Sequence, residues 1–193
     1  MGPKRQMTKP ALILTRPAPA CVAFAASLPA ALLSRVRVVT SPLLQIRPTA
    51  VPVDLGGIGG VIFTSANGVA HGPKGGTLPA YCVGEATAQA AAAKGWQVAC
   101  YAPDAARLLP MIKAHRPAAP LLHLRGTHQR GDIAERLTQA GLPTRPVVLY
   151  DQQALPLTRD AQAALADGPS IVPLFSPRTA AQFADQACET RRA

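Results

Sequence analysis

The stretch Gly60-Val61-Ile62-Phe63-Thr64-Ser65-Ala66-Asn67-Gly68-Val69 decides the fold. It begins as a brief apolar run with no polar alternation, the pattern of a strand buried on both faces of a parallel sheet. Within one residue it turns into hydroxyl, amide and glycine positions of the kind that open a helix. A strand that passes straight into a helix is the elementary unit of an α/β fold.

The same unit recurs on both sides of it. Short apolar runs at 11–15, 36–40, 60–64, 80–83, 97–101, 121–124, 146–150 and 170–175 are predicted as strands. Helical stretches lie between them. Residues 85–94 are nearly all alanine and stop at Gly95, a C-terminal cap. Asp132 with Glu135 three residues on resembles a capping box, and Gly141 ends that helix. Residues 158–166 form another helix before Gly168, and Ser176-Pro177 is a serine cap followed by a proline at the first helical position. Residues 104–115 read as helical, with Pro110 expected to kink or shorten them.

Two segments, 41–53 and 151–156, read as crossings between domains. The part between them, 43–150, holds five strands and suits a complete inserted α/β domain. The flanks 10–40 and 154–193 are each too small to fold alone and are expected to pair as one discontinuous α/β domain. Residues 1–9 read as a disordered polar tail.

Composition narrows the function classes. The 193 residues carry 20 Lys+Arg against 10 Asp+Glu, a net charge of +10, and no acid precedes Asp54. A field of that sign attracts polyanions. Aromatics are only 4%, and no basic run is interleaved with them, which argues against nucleic acid. The cysteines Cys21, Cys82, Cys100 and Cys188 form no CxxC pair and read as free thiols of a reducing, cytoplasmic compartment. No apolar stretch reaches the ~18 residues of a membrane span. The four histidines lack metal-ligand spacing, so no metal is expected.

In open α/β sheets, ligands sit beyond the carboxyl ends of the strands. Here those ends carry Thr15-Arg16-Pro17, Thr64-Ser65-Ala66-Asn67-Gly68, Gly84-Glu85-Ala86-Thr87, Arg125-Gly126-Thr127 and Ser176-Pro177-Arg178-Thr179. Hydroxyls, helix-start amides and arginines suit a ligand with several carboxylates. Taken singly, each such residue is as well explained as a helix cap or a solvated strand end. Walker and GxGxxG phosphate loops, a GxSxG elbow and HExxH are absent, and carboxylates near the loops are few. That set favours a reactive substrate folded into shape by the protein over strong acid–base machinery.

Read in order, these segments resemble the uroporphyrinogen-III synthase family. Ile62-Phe63-Thr64-Ser65-Ala66-Asn67-Gly68-Val69 is similar to its FTSxNGV segment, and Val83-Gly84-Glu85-Ala86-Thr87-Ala88, running on to Gly95, to its VGxxTAxxAxxxG segment. Leu14-Thr15-Arg16-Pro17, Ser41-Pro42-Leu43, Leu124-Arg125-Gly126, Val148-Leu149-Tyr150 and Phe175-Ser176-Pro177-Arg178-Thr179-Ala180 follow the family's order. The resemblance implies two parallel-sheet α/β domains, one discontinuous, joined by a two-stranded connector with a cleft between them. It implies a monomer that needs no metal or organic cofactor. The substrate would be hydroxymethylbilane, a polycarboxylate, cyclised with loss of water and inversion of ring D. Carried over by position, Tyr150 would assist departure of the hydroxyl. Ser65, Asn67, Thr87 and Ser176 would hold the acid side chains, and Arg16 and Arg125 would add charge.

The chain departs from the family pattern after the last helix start. Residues 185–193 read as a polar, unperiodic tail, and a truncated reading frame is the expectation. The sheet of the first strand would then lack neighbours and leave an open apolar edge. The alternative to an active synthase is a non-catalytic relic or an anion-binding α/β module.

Overall fold

The computed structural model describes residues 9–118, 120–128 and 131–190. Most of the polar tail read at 1–9 lies outside the described residues. In chain order the first elements are β1 (Ala11–Leu14), α1 (Ala18–Ser27), α2 (Ala30–Leu33), β2 (Arg37–Thr40), β3 (Leu44–Pro48), β4 (Gly60–Phe63), α3 (Ala66–His71), β5 (Pro79–Val83) and α4 (Glu85–Ala93). They continue with β6 (Gln97–Ala102), α5 (Ala105–His115), β7 (Leu121–Gly126), α6 (Ile133–Gln139), β8 (Thr144–Ala154), α7 (Arg159–Asp167), β9 (Ser170–Ile171) and α8 (Pro177–Thr190). The chain divides into two compact units, Met1–Gln45 with Gln153–Ala193, and Ile46–Gln152.

In the second unit the strands follow the order β3-β8-β7-β4-β5-β6. The pairs β8–β7, β7–β4, β4–β5 and β5–β6 are parallel. Every residue of β4 is buried. Val61 and Phe63 pack with Val69, Ala88, Ala91 and Trp96 of the α3–α4 layer. Ile62 packs on the other face with Leu108, Ile112, Ile133 and Leu137 of the α5–α6 layer. A strand covered on both faces has no polar side, and for that reason its sequence shows no alternation. The alanines of α4 let that helix lie close to the sheet, and the Trp96 indole fills the gap edge-on to Phe63 at 5.5 Å.

In the first unit β1 is central, with β2 and β9 parallel on either side. Ala11 and Ile13 face Leu157, Ala161 and Ala164. Leu12 and Leu14 face Cys21, with Phe24 and Leu28 packed beside it.

Several sequence expectations need correction. The first strand pairs on both sides, with β2 and the two-residue β9, so the edges of this sheet lie at β2 and β9 and not at β1. The segment 41–53, read as a crossing and given no strand, contains β3, and an outermost strand tolerates proline. It pairs with β8, which runs to Ala154 and takes in most of the second expected crossing. Thr49 N–H donates to Leu149 O at 3.0 Å and Leu155 N–H to Leu43 O at 2.9 Å, so β3 and β8 run in opposite directions. Both strands cross the boundary between the units. The run at 170–175 forms only two strand residues, because Pro173 has no N–H to extend the ladder. Pro110 does not shorten α5, where buried Leu108, Leu109 and Ile112 offset the lost hydrogen bond. Asp132 makes no capping bond; its ψ of 36° lies outside the extended region a cap requires. The supposed tail after 185 is helical to Thr190. Within that helix Gln182 Nε2 donates to Leu43 O and Leu155 O, each at 2.9 Å, and Gln186 Nε2 donates to Leu155 O at 3.2 Å.

Candidate active site

The candidate residues fall into two groups, one in each unit. In the second unit β4 ends at Phe63, and Ser65 leaves it with φ −160° and ψ 153°. That extended geometry turns the hydroxyl back over the first turn of α3, where Oγ accepts the Gly68 N–H at 3.2 Å. The same oxygen lies 2.8 Å from Tyr150 Oη. A serine oxygen can take two hydrogen bonds and give one, so Ser65 caps the helix and still bonds the phenol. Tyr150 is only 3% exposed, whereas Ser65 is half-buried. The serine is therefore the more open end of the pair.

Tyr150 reaches this place through an irregularity in β8. Arg125 pairs with Val148, but Gly126 pairs with Tyr150, so Leu149 is an extra residue on that strand. A bulge of this kind breaks the alternation. Consecutive Leu149 and Tyr150 consequently both pack into the α3–α4 side of the sheet. The ring lies 5.6 Å from the His71 imidazole, tilted at 35°. Thr127 N–H donates to Tyr150 O at 2.9 Å and fixes the strand just after the bulge.

The other predicted residues of this unit are distributed as follows. Asn67 is half-buried in the first turn of α3. Thr87 is buried in the first turn of α4, behind Gly84, whose φ of +83° makes the turn from β5 into the helix. Arg125 Nη1 donates to Gly126 O at 3.0 Å and Thr127 O at 3.1 Å. Its side chain lies toward α6, lining a cavity of about 440 Å³ with Asp132, Glu135 and Thr138. The sheet thus separates Arg125 from Tyr150.

Sequence reasoning set aside His123, yet it is fully buried against Thr64, on the face of the sheet opposite Tyr150. Its Nε2 is 3.2 Å from Thr64 Oγ1, and Nδ1 has no partner among the described residues. Burial, with the Arg125 charge as a second cause, pushes its pKa down to about 4, so the ring is neutral at pH 7. Lys94 was missed as well. Its Nζ donates to the carbonyls of Val69, Ala70 and Gly72 at 2.8, 2.7 and 2.6 Å, closing the C-terminal end of α3. A lysine just before the capping Gly95 was the available signal, but which helix it serves is a tertiary fact.

In the first unit Arg16 follows β1 and Ser176 precedes α8. Ser176 Oγ accepts the Thr179 N–H at 3.1 Å and shares a hydrogen bond with Thr179 Oγ1 at 2.7 Å. The Arg16 guanidinium lies over the Phe175 ring, 4.7 Å from its centroid. Among the described residues no group of three or more metal-ligating side chains comes together. None of the described helices is long and apolar enough to cross a membrane.

Parallel strands that run into hydroxyl-capped helices, in two units joined through β3 and β8, define an α/β protein. Residues 33–192 match the family described as HEM4, uroporphyrinogen-III synthase HemD. The chain belongs to the uroporphyrinogen-III synthase family, whose members are lyases of haem biosynthesis. It is similar in fold to the crystal structure of uroporphyrinogen-III synthetase from Helicobacter pylori 26695, with a TM-score of 0.60 and 17% identity over 93% of this chain and 78% of that one. A comparison with curated proteins returned no match.

Proposed function

We propose that this chain cyclises hydroxymethylbilane to uroporphyrinogen III and that the Tyr150–Ser65 pair assists the step in which the substrate hydroxyl leaves as water. The observation that carries the assignment is the 2.8 Å hydrogen bond between the two hydroxyls. It gives a buried phenol a route to the more open serine. A proton passed to the departing oxygen makes water, and the proton lost when the last pyrrole regains aromaticity restores the pair. No carboxylate or metal is needed for that balance.

The acid side chains of the substrate are held by Ser65, Asn67, Thr87 and Ser176 with the amides beside them, and Arg16 adds positive charge; Arg125, on the other face of the sheet from Tyr150, contributes only to the overall field. The net charge of +10 favours encounter with a polyanion. The protein works as a cytoplasmic monomer, a reading supported by its free cysteines and by the family resemblance.

The test supplies hydroxymethylbilane and resolves the type I and type III products. Type I arises by spontaneous closure, so type III reports the enzyme. Tyr150→Phe is expected to slow type III formation by about 10- to 100-fold, the loss of one charge-assisted hydrogen bond in the transition state. An unchanged rate in that variant overturns the assignment.

A further inference from the structure

We propose that Phe175 is a positioning residue for Arg16, holding its guanidinium by the ring face so that the N–H edge is free to take a substrate carboxylate. The inference rests on the reading of Arg16 as a carboxylate-binding residue.

Arg16 differs from the other cations whose contacts are known. Arg107 pairs with Asp104 at 2.8 Å. Lys94 spends its three donors on backbone carbonyls, and Arg125 turns Nη1 to two more. Among the described residues Arg16 has no ion pair and no side-chain hydrogen bond; its guanidinium carbon instead stands 4.7 Å from the Phe175 centroid. A guanidinium that meets a ring by its face keeps the planar fork of N–H groups outside the contact. That fork matches a carboxylate in two-point fashion.

The rest of the arrangement fixes this cation in place. The backbone of Arg16 is pinned from behind, where the Cys21 thiol donates to Arg16 O at 2.9 Å. Burial holds that thiol protonated, so it stays a donor. Phe175 is braced in turn by Phe24, which meets it edge-on at 5.2 Å and 74°. Phe24 packs against the cluster of Leu12, Leu14 and Cys21. A chain with only four phenylalanines commits two of them to this one arginine. Phe175 is 54% exposed, so hydrophobic burial does not account for it. Its sequence neighbour Ser176 caps α8 by accepting the Thr179 N–H.

The experiment measures KM and kcat for type III formation from hydroxymethylbilane, and the dissociation constant of uroporphyrin III from its fluorescence. The set is the full chain and its Phe175→Leu, Phe175→Tyr, Arg16→Met and Phe175→Leu/Arg16→Met variants. Phe175→Leu is expected to weaken both KM and the dissociation constant about threefold, the scale of one exposed cation–π contact, with kcat unchanged. Phe175→Tyr keeps the ring and restores both. In the Arg16→Met background the leucine has no further effect. If Arg16→Met weakens binding but Phe175→Leu does not, the positioning role is overturned and the reading of Arg16 stands. An equal leucine effect with and without Arg16 also overturns it, because Phe175 then acts alone. If Arg16→Met leaves both constants unchanged, the reading of Arg16 itself falls.

Discussion

Gly126 is the seat of the Tyr150 ring: a Cβ at position 126 would stand 2.6 Å from both Cε2 and Cζ of the tyrosine and 3.0 Å from its hydroxyl oxygen. Those distances are far inside carbon contact, and the ring is buried. The glycine is needed here for close approach, while the bulge at Leu149 supplies the direction. Both are required to bring Oη to Ser65.

Gly126→Ala is accordingly expected to cost about 1–3 kcal/mol in stability, the range of an overpacked site. It should also reduce type III formation by pushing the phenol off Ser65. Denaturant melts check the first effect and the product assay the second. In a Tyr150→Ala background, where no ring is left to strike, the stability cost of Gly126→Ala should disappear. A cost that persists there refutes the steric account.

Ser65 carries two duties and its removal should show both. Ser65→Ala deletes the cap of α3, worth about 1 kcal/mol. It also leaves the buried Tyr150 hydroxyl without this partner, worth about 1–3 kcal/mol more. Thr158, whose Oγ1 takes the Ala161 N–H at 3.3 Å, supplies the comparison of a cap alone. Urea unfolding of the two alanine variants should show a clearly larger loss at Ser65. Equal losses mean the tyrosine contact contributes nothing.

How much of this was legible in the sequence follows from where each feature's cause lies. The strands β1, β4 and β5 were readable because a strand buried on both faces reads as an unbroken apolar run, and β7 because only His123 interrupts its first four residues. β3 was hidden by Pro42, Pro48 and Pro52, which are tolerated only because that strand is outermost. Pro173 acted in the opposite direction and cut short a run that looked like a full strand. Ser65 was visible as a cap, since capping is local. Its contact with a tyrosine 85 residues away was not, and neither was the bulge, which exists only relative to the register of β7. Nothing in the sequence marked Gln182 and Gln186, four apart on α8, because the Leu43 and Leu155 carbonyls they satisfy come beside them only in the fold.

Lys94 should matter to α3 more than to its own helix. Three carbonyls at one end of a six-residue helix converge on its ammonium group, and burial lowers its pKa. Lys94→Met keeps the aliphatic stem and removes the donors. The expected loss is about 1–2 kcal/mol, from a charged group at a helix C-terminus. Hydrogen exchange should locate the loosening in residues 66–71, with α7 unaffected. Loosening spread evenly over both units contradicts a local role.

His123 should give the protein a stability that depends on pH in a defined window. In the fold its pKa is about 4, against 6.5 for an unperturbed ring, because burial disfavours the charged form and Arg125 adds to that. Above pH 6.5 both folded and unfolded chains hold the ring neutral, and it makes no pH-dependent contribution. As pH falls below 6.5 the unfolded chain takes up a proton that the folded chain refuses until about pH 4. Protons therefore favour unfolding throughout that interval, and stability drops by roughly 3 kcal/mol across it before levelling off. His123→Gln retains a polar side chain opposite Thr64 but cannot titrate. Unfolding free energies measured in denaturant at steps from pH 7 to pH 4 should fall for the parent protein and flatten for the glutamine variant over the same steps. Parallel curves for the two would assign the acid sensitivity to other groups and leave His123 protonatable in the fold.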